Sequence, residues 1–267
     1  MLAAPVRRAA AAFALAATTL ALVSCATDAG LGTAPSGDAD ALTGELTIYA
    51  AASLTASFDE IATAFEAVNP GVSIKPIVYD GSSTLVTQLT EGAPADVFAS
   101  ADEATMTRAI EAGLTADDDA VPFATNSLVI AVPAGNSAQV TTLADVARAD
   151  VTLVVCAVQV PCGAATQTLL ANQEVAARPA SFEQNVTAVL TKVAAGEADA
   201  GLVYRTDVQG RDDVEGIVPE GAENVVNRYP IAALTASANP DAAAAFVAFV
   251  TGERARSILA AHGFGAP

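Results

Sequence analysis

The sequence predicts an α/β fold in which a mostly parallel sheet is covered by helices. From Glu45 onward, short apolar segments of strand type alternate with amphipathic segments of helix type, which is the pattern of parallel sheets. Two strand-to-helix junctions also carry serines, Ser53 in residues 46–54 and Ser82 in residues 77–85. The chain of 267 residues has room for one large domain or for two lobes of ordinary size.

The first half of the chain supplies its elements in a regular order. A helix with a continuous apolar face follows Ser53 and ends at the Asn-Pro-Gly sequence of residues 69–71. Residues 72–79 are predicted as one strand, and Pro76 inside it indicates an edge or bulged strand. A short helix over 84–90, a buried strand over 96–99 and a further helix after residue 103 complete this half.

The second half repeats the alternation after a long apolar run at residues 121–132. A polar break at Thr125 and Asn126 marks a point where the chain can cross from one lobe to another. We then expect a strand over 151–155, a helix from 163 to about 177, and a helix capped by Asn185. The chain then continues with a predicted strand over 199–204, an extended segment over 225–234 and two closing helices that begin near Pro240 and Gly252.

The charge of the chain narrows its possible partners. There are 12 basic and 30 acidic residues, which give a formal net charge of −18. This excess argues against binding to nucleic acid, which depends on clustered Lys and Arg, and against attraction to an anionic membrane. A receptor for an anion in such a chain would have to rely on local hydrogen-bond donors, because the overall field opposes the ligand.

The N-terminal residues have the pattern of a targeting segment. Arg7 and Arg8 precede an apolar stretch over residues 9–23, and Cys25 follows small residues at its end. This predicts a lipoprotein signal peptide over 1–24, acylation of Cys25, and a flexible linker over 25–43. An ordinary cleaved signal with an incidental cysteine, or an uncleaved anchor helix, are the alternatives. The main prediction is an extracytoplasmic protein tethered by lipid to the outer face of the cell membrane.

The two remaining cysteines, Cys156 and Cys162, form an even pair in an oxidising compartment. Their C-x5-C spacing matches neither the redox C-x-x-C motif nor a zinc site. We therefore predict a structural disulfide that closes a five-residue loop. Two buried free thiols that act as small apolar residues are the alternative.

The serine junctions allow two interpretations. A hydroxyl beside the unpaired N–H groups at a helix start suits a small oxyanion, whereas Ser is also a routine N-cap. A hydrolase that used Ser53 or Ser82 as nucleophile would need a base, and the sole histidine, His262, fits a helix end better. The acidic run over residues 117–119 fits a solvated turn. Since no P-loop or G-x-G-x-x-G is present, we expect neither an enzyme nor a cofactor.

Seven segments in one order carry a family resemblance. They are AAASLT (50–55), GSSTL (81–85), EGAPADVFASADE (91–103), NSLV (126–129), VPCG (160–163), GEADAGLVY (196–204) and YPI (229–231). With these segments the chain resembles the solute-binding protein of molybdate ABC transporters over essentially the whole mature domain.

The resemblance implies a two-lobe periplasmic-binding-protein fold of type II, with a mixed sheet flanked by helices in each lobe and the ligand in the cleft between them. Lobe 1 would comprise residues 44–125 plus 226–267, and lobe 2 residues 126–225. The resemblance also implies the ligands of molybdate. Ser53 and Ser82 would donate through their hydroxyls and backbone N–H groups. Cys162 and Val186 would donate through backbone N–H groups, and Tyr204 through its phenol. Where Cys162 stands the family usually has a smaller residue, which a backbone donor tolerates.

The implied function is capture of molybdate and tungstate by a monomeric receptor that delivers the ion to a membrane permease. Sulfate or phosphate is the alternative ligand, and a secreted serine hydrolase or a sensor without transport are the alternative classes. Asp80 bears on the choice of ligand. A carboxylate in the cleft would repel a dianion and favour phosphate, which keeps a proton, so for molybdate we expect Asp80 to face solvent or to cap its turn.

Overall fold

The structure is a computed structural model, and it describes residues 42–267. The signal peptide predicted over 1–24, the lipidation site at Cys25 and nearly all of the linker over 25–43 lie outside the described residues. Within the described part of the chain, no helix is long and apolar enough to cross a membrane.

The described residues form strands and helices that alternate along most of the chain. The strands are β1 (Gly44–Leu46), β2 (Ile48–Ala51), β3 (Val72–Ile74), β4 (Val78–Asp80), β5 (Val97–Ala99), β6 (Val121–Pro133), β7 (Leu153–Cys156), β8 (Ser181–Glu183), β9 (Ala200–Tyr204), β10 (Val214–Ile217) and β11 (Val226–Ala233). The helices are α1 (Thr55–Val68), α2 (Ser82–Thr90), α3 (Glu103–Glu111), α4 (Pro161–Asn172), α5 (Val186–Ala194), α6 (Arg205–Val208), α7 (Pro240–Val250) and α8 (Glu253–Ala261).

The main sheet has two parallel parts joined by antiparallel strands. Its order is β4-β2-β5-β11-β6-β9-β7-β8, and β10 pairs with β6 beside this path. Strands β4, β2 and β5 are mutually parallel, as are β9, β7 and β8. Strands β11 and β6 run antiparallel to their neighbours and connect the two parts. Each part is thus a mixed sheet with helices packed on it, which confirms the predicted fold class.

Strand β6 belongs to both parts of the sheet, because it changes partner along its length. Its first half pairs with β11, up to the partners Ser127 and Val226, and its second half pairs with β9 from Leu128 onward. The polar residues Thr125 and Asn126 therefore lie inside one continuous strand, as predicted. The polar residues mark the place where one neighbour is exchanged for another, while the backbone stays extended.

Apolar side chains and a row of aromatic rings fill the interior beside β6 and β11. Phe65 packs edge-on against Phe246 with ring centroids 5.2 Å apart, and Phe58 lies 5.6 Å from Phe123. The row continues through Tyr229 to Tyr204, whose ring centroids are 5.9 Å apart. These contacts pack the helices of the first part firmly against the strands that lead to the candidate site.

Two predicted elements are wrong in detail. Residues 72–79 form two strands and not one, since β3 pairs with β1 while β4 pairs with β2 in the main sheet. Pro76, which cannot donate to a sheet, lies in the short connection between them. The helix predicted from 163 to about 177 begins at Pro161 and ends at Asn172. Its earlier start is explained by Pro161, because a proline fits the first turn of a helix.

Candidate functional site

The five residues that the resemblance implies as ligands lie around one small cavity. It has a volume of about 10 Å³. Its walls are formed by Ala51, Ala52, Ser53, Asp80, Gly81, Ser82, Ala101, Pro161, Cys162, Asn185, Val186 and Tyr204. Among the described residues that line it there is no Lys or Arg, so an anion there would be held by neutral donors.

Three helices begin at this cavity. Ser82 and Val186 are the first residues of α2 and α5, and Cys162 is the second residue of α4, after Pro161. The N–H groups of a first helical turn have no acceptor within the helix, and the helix dipole places partial positive charge there. The cavity wall therefore contains backbone N–H groups from which an anion could accept hydrogen bonds, although the chain as a whole is acidic.

Neither serine at the junctions is an N-cap. Ser53 lies in a 3-10 turn over Ala52–Leu54, and α1 is preceded by Leu54 without a side-chain cap. The N-cap of α2 is Gly81. The capping interpretation of Ser53 and Ser82 is therefore wrong. The Ser82 hydroxyl oxygen instead accepts the Ala101 N–H at 2.9 Å, which leaves its own hydrogen available to the cavity.

Tyr204 contributes a hydroxyl that is buried and unsatisfied. The residue is 1% exposed, and its Oη atom has no hydrogen-bond partner among the described residues. Burial, with further contributions from Tyr229, Asp102 and Asp207, raises the pKa of this phenol well above its ordinary value. The group stays protonated and can donate. Since a buried unsatisfied hydroxyl is costly, a ligand that accepts its hydrogen would be favoured.

Asp80 lies at the cavity wall and is half-buried, so the expectation that it faces solvent is wrong. Its Oδ1 atom accepts two hydrogen bonds at 2.7 Å, one from the N–H of Gly81 and one from Nδ2 of Asn185. The bond from Gly81 lies within the turn of Asp80, which agrees with the second expectation, that Asp80 caps its turn. The bond from Asn185 reaches the start of α5 on the opposite wall of the cavity.

Further contacts join the same two walls. Asn185 caps α5 as predicted, accepting the Ala188 N–H at 2.9 Å. The Ser83 hydroxyl donates to the carbonyl oxygen of Gln159 at 2.6 Å. At Gly81 an added Cβ would collide with the carbonyl oxygen of Gln184, so this close approach requires glycine. The structure therefore has the walls drawn together around the cavity.

The cysteine pair lies at one wall of the cavity, which Cys162 lines. Cys156 ends β7, Cys162 is the second residue of α4, and their sulfur atoms are 2.09 Å apart with a Cα separation of 5.7 Å. The bridge closes the loop whose far end presents the Cys162 N–H. It therefore acts on the conformation of one of the candidate donors.

The sequence reasoning missed two buried polar residues behind Ser53. The Oη atom of Tyr229 lies 2.9 Å from the Ser53 hydroxyl oxygen, and Nδ2 of Asn126 lies 3.4 Å from the same Oη. Both residues occur in segments that carry the family resemblance. Their position in the chain gave no hint of this chemistry, because they are far from Ser53 in sequence and meet it only through the pairing of β6 and β11.

The groups that a hydrolase would need are not assembled at the cavity. His262 ends α8, as predicted, and its Nε2 atom lies 2.9 Å from Oε2 of Glu60, away from the cavity. The acidic run over Asp117–Asp119 is an exposed 3-10 turn, also as predicted. No cluster of three or more potential metal-ligating side chains occurs in residues 42–267.

The fold and the cavity are those of a two-lobe periplasmic binding protein, and comparisons with known proteins agree. The family described as bacterial extracellular solute-binding protein matches residues 46–265. The molybdate-binding protein ModA of Mycobacterium tuberculosis (strain H37Rv) is 45% identical over 224 residues, which cover 83% of this chain and 85% of that protein.

Two solved structures are similar along their whole length. One is the substrate-binding domain of a putative molybdenum ABC transporter from Clostridium difficile, 28% identical, with a TM-score of 0.62 and coverage of 84% of this chain and 99% of that one. The other is the periplasmic molybdate-binding protein of Azotobacter vinelandii, with a TM-score of 0.69 and coverage of 83% and 99%. At 19% identity, the second likeness concerns the fold alone.

The protein belongs to the family of bacterial extracellular solute-binding proteins. Members of this family bind a solute outside the cytoplasm and do not transform it. The expectation that the chain is not an enzyme is thereby confirmed, and the hydrolase alternative is excluded.

Proposed function

We propose that the protein captures molybdate, and also tungstate, and delivers the ion to the permease of an ABC transporter. The observation that carries the proposal is the buried hydroxyl of Tyr204, which has no hydrogen-bond partner in residues 42–267 and lies at a cavity where three helices begin. A fully deprotonated dianion has acceptors only, so it fits a wall of neutral donors. The names of the relatives in Mycobacterium and Clostridium support the same ligand.

The proposed ligand shell is that of the resemblance. Ser53 and Ser82 would donate through their hydroxyls and backbone N–H groups, Cys162 and Val186 through their N–H groups at helix starts, and Tyr204 through its phenol. No cofactor takes part, and molybdenum enters only inside the oxyanion. The geometry that supports this shell is the common cavity, together with the hydroxyl hydrogens of Ser82 and Tyr204, for which the described part of the chain provides no acceptor.

Calorimetric titration of the ligand-free mature domain with molybdate, tungstate, sulfate and phosphate tests the proposal. We expect tight binding of the first two ions and weak binding of the others. Hydrogen phosphate is the second candidate, because Asp80 lies at the cavity wall and could accept its proton. Equal or tighter binding of phosphate or sulfate would refute the molybdate assignment and leave the receptor class intact.

Closure of two lobes would couple binding to transport. We propose that lobe 1 comprises residues 44–125 plus 226–267 and lobe 2 residues 126–225, since β6 exchanges β11 for β9 near this boundary. Ser53 and Ser82 belong to one lobe, and the other three ligands to its partner, so the shell is complete only when the lobes meet. Small-angle scattering should give a smaller radius of gyration with molybdate. An unchanged profile at saturation would contradict the hinge.

The membrane attachment that we propose is a lipid on Cys25, and the receptor itself would be a monomer. The Arg7 and Arg8 pair, the apolar stretch and the position of Cys25 support the anchor. Expression of the full chain should place the protein in the detergent phase of a Triton X-114 extraction. The Cys25→Ser variant should move to the aqueous phase, and light scattering of the mature domain should give the monomer mass.

A further inference from the structure

Tyr229 is a fully buried tyrosine whose hydroxyl lies directly behind Ser53. Its exposure is 0%, and it is not among the residues that line the cavity. Its Oη atom lies 2.9 Å from Oγ of Ser53 and 3.4 Å from Nδ2 of Asn126. These three groups form a chain of hydrogen bonds from the junction of β6 and β11 to the cavity wall.

The orientation of the Asn126 amide defines the inner end of this chain. Its Oδ1 atom accepts the N–H of Ser127 at 3.0 Å, which identifies the oxygen, and its Nδ2 atom therefore carries the donors. One of these donors reaches Oγ1 of Thr206 at 2.8 Å, and the other reaches Oη of Tyr229. At the Tyr229–Ser53 contact either hydroxyl could be the donor. The arrangement in which Tyr229 accepts from Asn126 and donates to Ser53 uses every group of the chain and leaves the Ser53 hydrogen for the cavity, and it is the arrangement on which the inference rests.

We infer that Tyr229 and Asn126 are positioning residues that hold the Ser53 hydroxyl as a donor toward the bound anion, an inference that rests on the proposed function. Their effect is on selectivity as well as on affinity. A hydroxyl fixed as a donor favours an oxyanion that has acceptors only. A hydroxyl turned the other way would present an oxygen lone pair and favour an oxyanion that carries a proton.

The first test removes the Tyr229 hydroxyl without changing the ring. Tyr229→Phe keeps the edge-on packing against Tyr204 and Phe264 but frees the Ser53 hydroxyl to rotate. We expect the molybdate Kd to rise about five- to tenfold, the effect of one neutral hydrogen bond. In a Ser53→Ala background the same change should leave the Kd unaltered. An equal loss in both backgrounds would show that Tyr229 acts through packing and would overturn the inference.

The second test reverses the chain. In Asn126→Asp the carboxylate accepts only, so Tyr229 would donate to it and Ser53 would donate to Tyr229. We expect the ratio of molybdate to phosphate affinity to fall at least tenfold. The Tyr229→Phe background is the matched control, because it interrupts the chain but leaves the new charge in place. A fall in the ratio that is the same in both backgrounds would mean a through-space charge effect and would overturn the inference.

A ligand-free measurement separates this inference from the proposed function. The Ser53→Ala and Tyr229→Phe variants, alone and combined, form a double-mutant cycle in denaturant unfolding. Non-additive losses are expected from the 2.9 Å bond, whichever anion the cavity takes. Additive losses overturn the chain of hydrogen bonds even if molybdate binds tightly. Failure of the wild-type protein to bind molybdate, together with non-additive losses, refutes the ligand assignment alone.

Discussion

The carboxylate of Asp80 and the amide of Asn185 meet across the cavity, with Oδ1 and Nδ2 2.7 Å apart. The same Asn185 side chain caps α5, whose first residue, Val186, lines the cavity. The Asp80 side chain therefore lies at the wall of a cavity that we assign to a dianion. The hydrogen bond stabilises the meeting of the walls, whereas the charge opposes the ligand.

Asp80→Asn should separate these two effects. The amide oxygen can still accept from Gly81 and Asn185, while the charge is gone. We expect the molybdate Kd to fall about tenfold, or about 1.4 kcal/mol, the size of a screened repulsion between a carboxylate and a nearby dianion. Calorimetric titration measures the change.

Two further variants control this experiment. Asp80→Ala removes the charge and the acceptor together, so its gain should be smaller than that of Asp80→Asn. Asp118→Asn makes the same chemical change at an exposed position in the turn over Asp117–Asp119 and should leave the Kd unchanged. A weaker affinity for molybdate in Asp80→Asn would contradict a repulsive role for the carboxylate.

Tyr204→Phe should weaken the binding of molybdate without lowering the stability of the protein. Without ligand, the wild-type hydroxyl is buried and has no partner among the described residues, so its removal should leave the unfolding free energy unchanged or raise it by up to about 1 kcal/mol. The molybdate Kd should rise about 10- to 100-fold, because a hydrogen bond to a charged partner is worth about 1.5–3 kcal/mol. Urea unfolding and calorimetry give the two values.

Ser82→Ala is the informative counterpart. The Ser82 oxygen accepts the Ala101 N–H, so this variant should lose stability, by about 1 kcal/mol, as well as affinity. If Tyr204→Phe were destabilised to the same extent in the absence of ligand, the Tyr204 hydroxyl would have a partner in the free protein. Its assignment as a ligand donor would then fail.

The local parts of the fold could be predicted from sequence, and the long-range parts could not. The closing helices α7 and α8 begin close to the expected Pro240 and Gly252, because prolines and glycines mark helix ends locally. The division of residues 72–79 between two sheets depends on the partners of β3 and β4, which lie elsewhere in the chain. The exchange of β11 for β9 along β6 likewise depends on strands that lie elsewhere in the chain.

The site shows a similar division. The serine junctions at Ser53 and Ser82 could be found because a strand that leads into a helix is a local pattern. Tyr229 and the contact of Asp80 with Asn185 could not, since each depends on two segments that only folding brings together. The proposed ligands of the second wall came from the resemblance to a family, because the residue types alone gave no signal at Val186.

Reduction of the Cys156–Cys162 bridge should weaken ligand binding more than it lowers stability. The bridge closes a short loop, so the chain-entropy stabilisation is only about 2 kcal/mol. The same loop presents the Cys162 N–H, and its release should raise the molybdate Kd about 50-fold or more, which exceeds 2 kcal/mol, because a backbone donor loses its fixed position. The double variant Cys156→Ala/Cys162→Ala avoids reductant and serves as the comparison. Intact-mass analysis under alkylating conditions should show no free thiol in the mature wild-type domain.

The pH dependence of stability should reflect Asp207. Burial raises the pKa of this carboxyl to about 7, against the opposing effects of the hydrogen bond from the Tyr204 N–H at 2.8 Å and of Arg211. The folded protein therefore binds the proton more tightly than the unfolded chain between about pH 4 and pH 7. The unfolding free energy should fall as pH rises through this window and level off above it.

Asp207→Asn should remove this fall, because the amide oxygen still accepts from Tyr204 but does not titrate. The side chain of Asp207 keeps some exposure to solvent, which weakens the effect of burial. We therefore expect the difference in unfolding free energy between the wild type and Asp207→Asn to change by only about 1–2 kcal/mol between pH 4 and pH 7.5. The carboxylates of Glu183 and Asp213 have lowered pKa values through their bonds to Lys192 and Arg211. Their contribution is lost below about pH 4 and does not overlap the window. Parallel curves for the two proteins in urea unfolding would show that Asp207 is ionised in the folded state throughout.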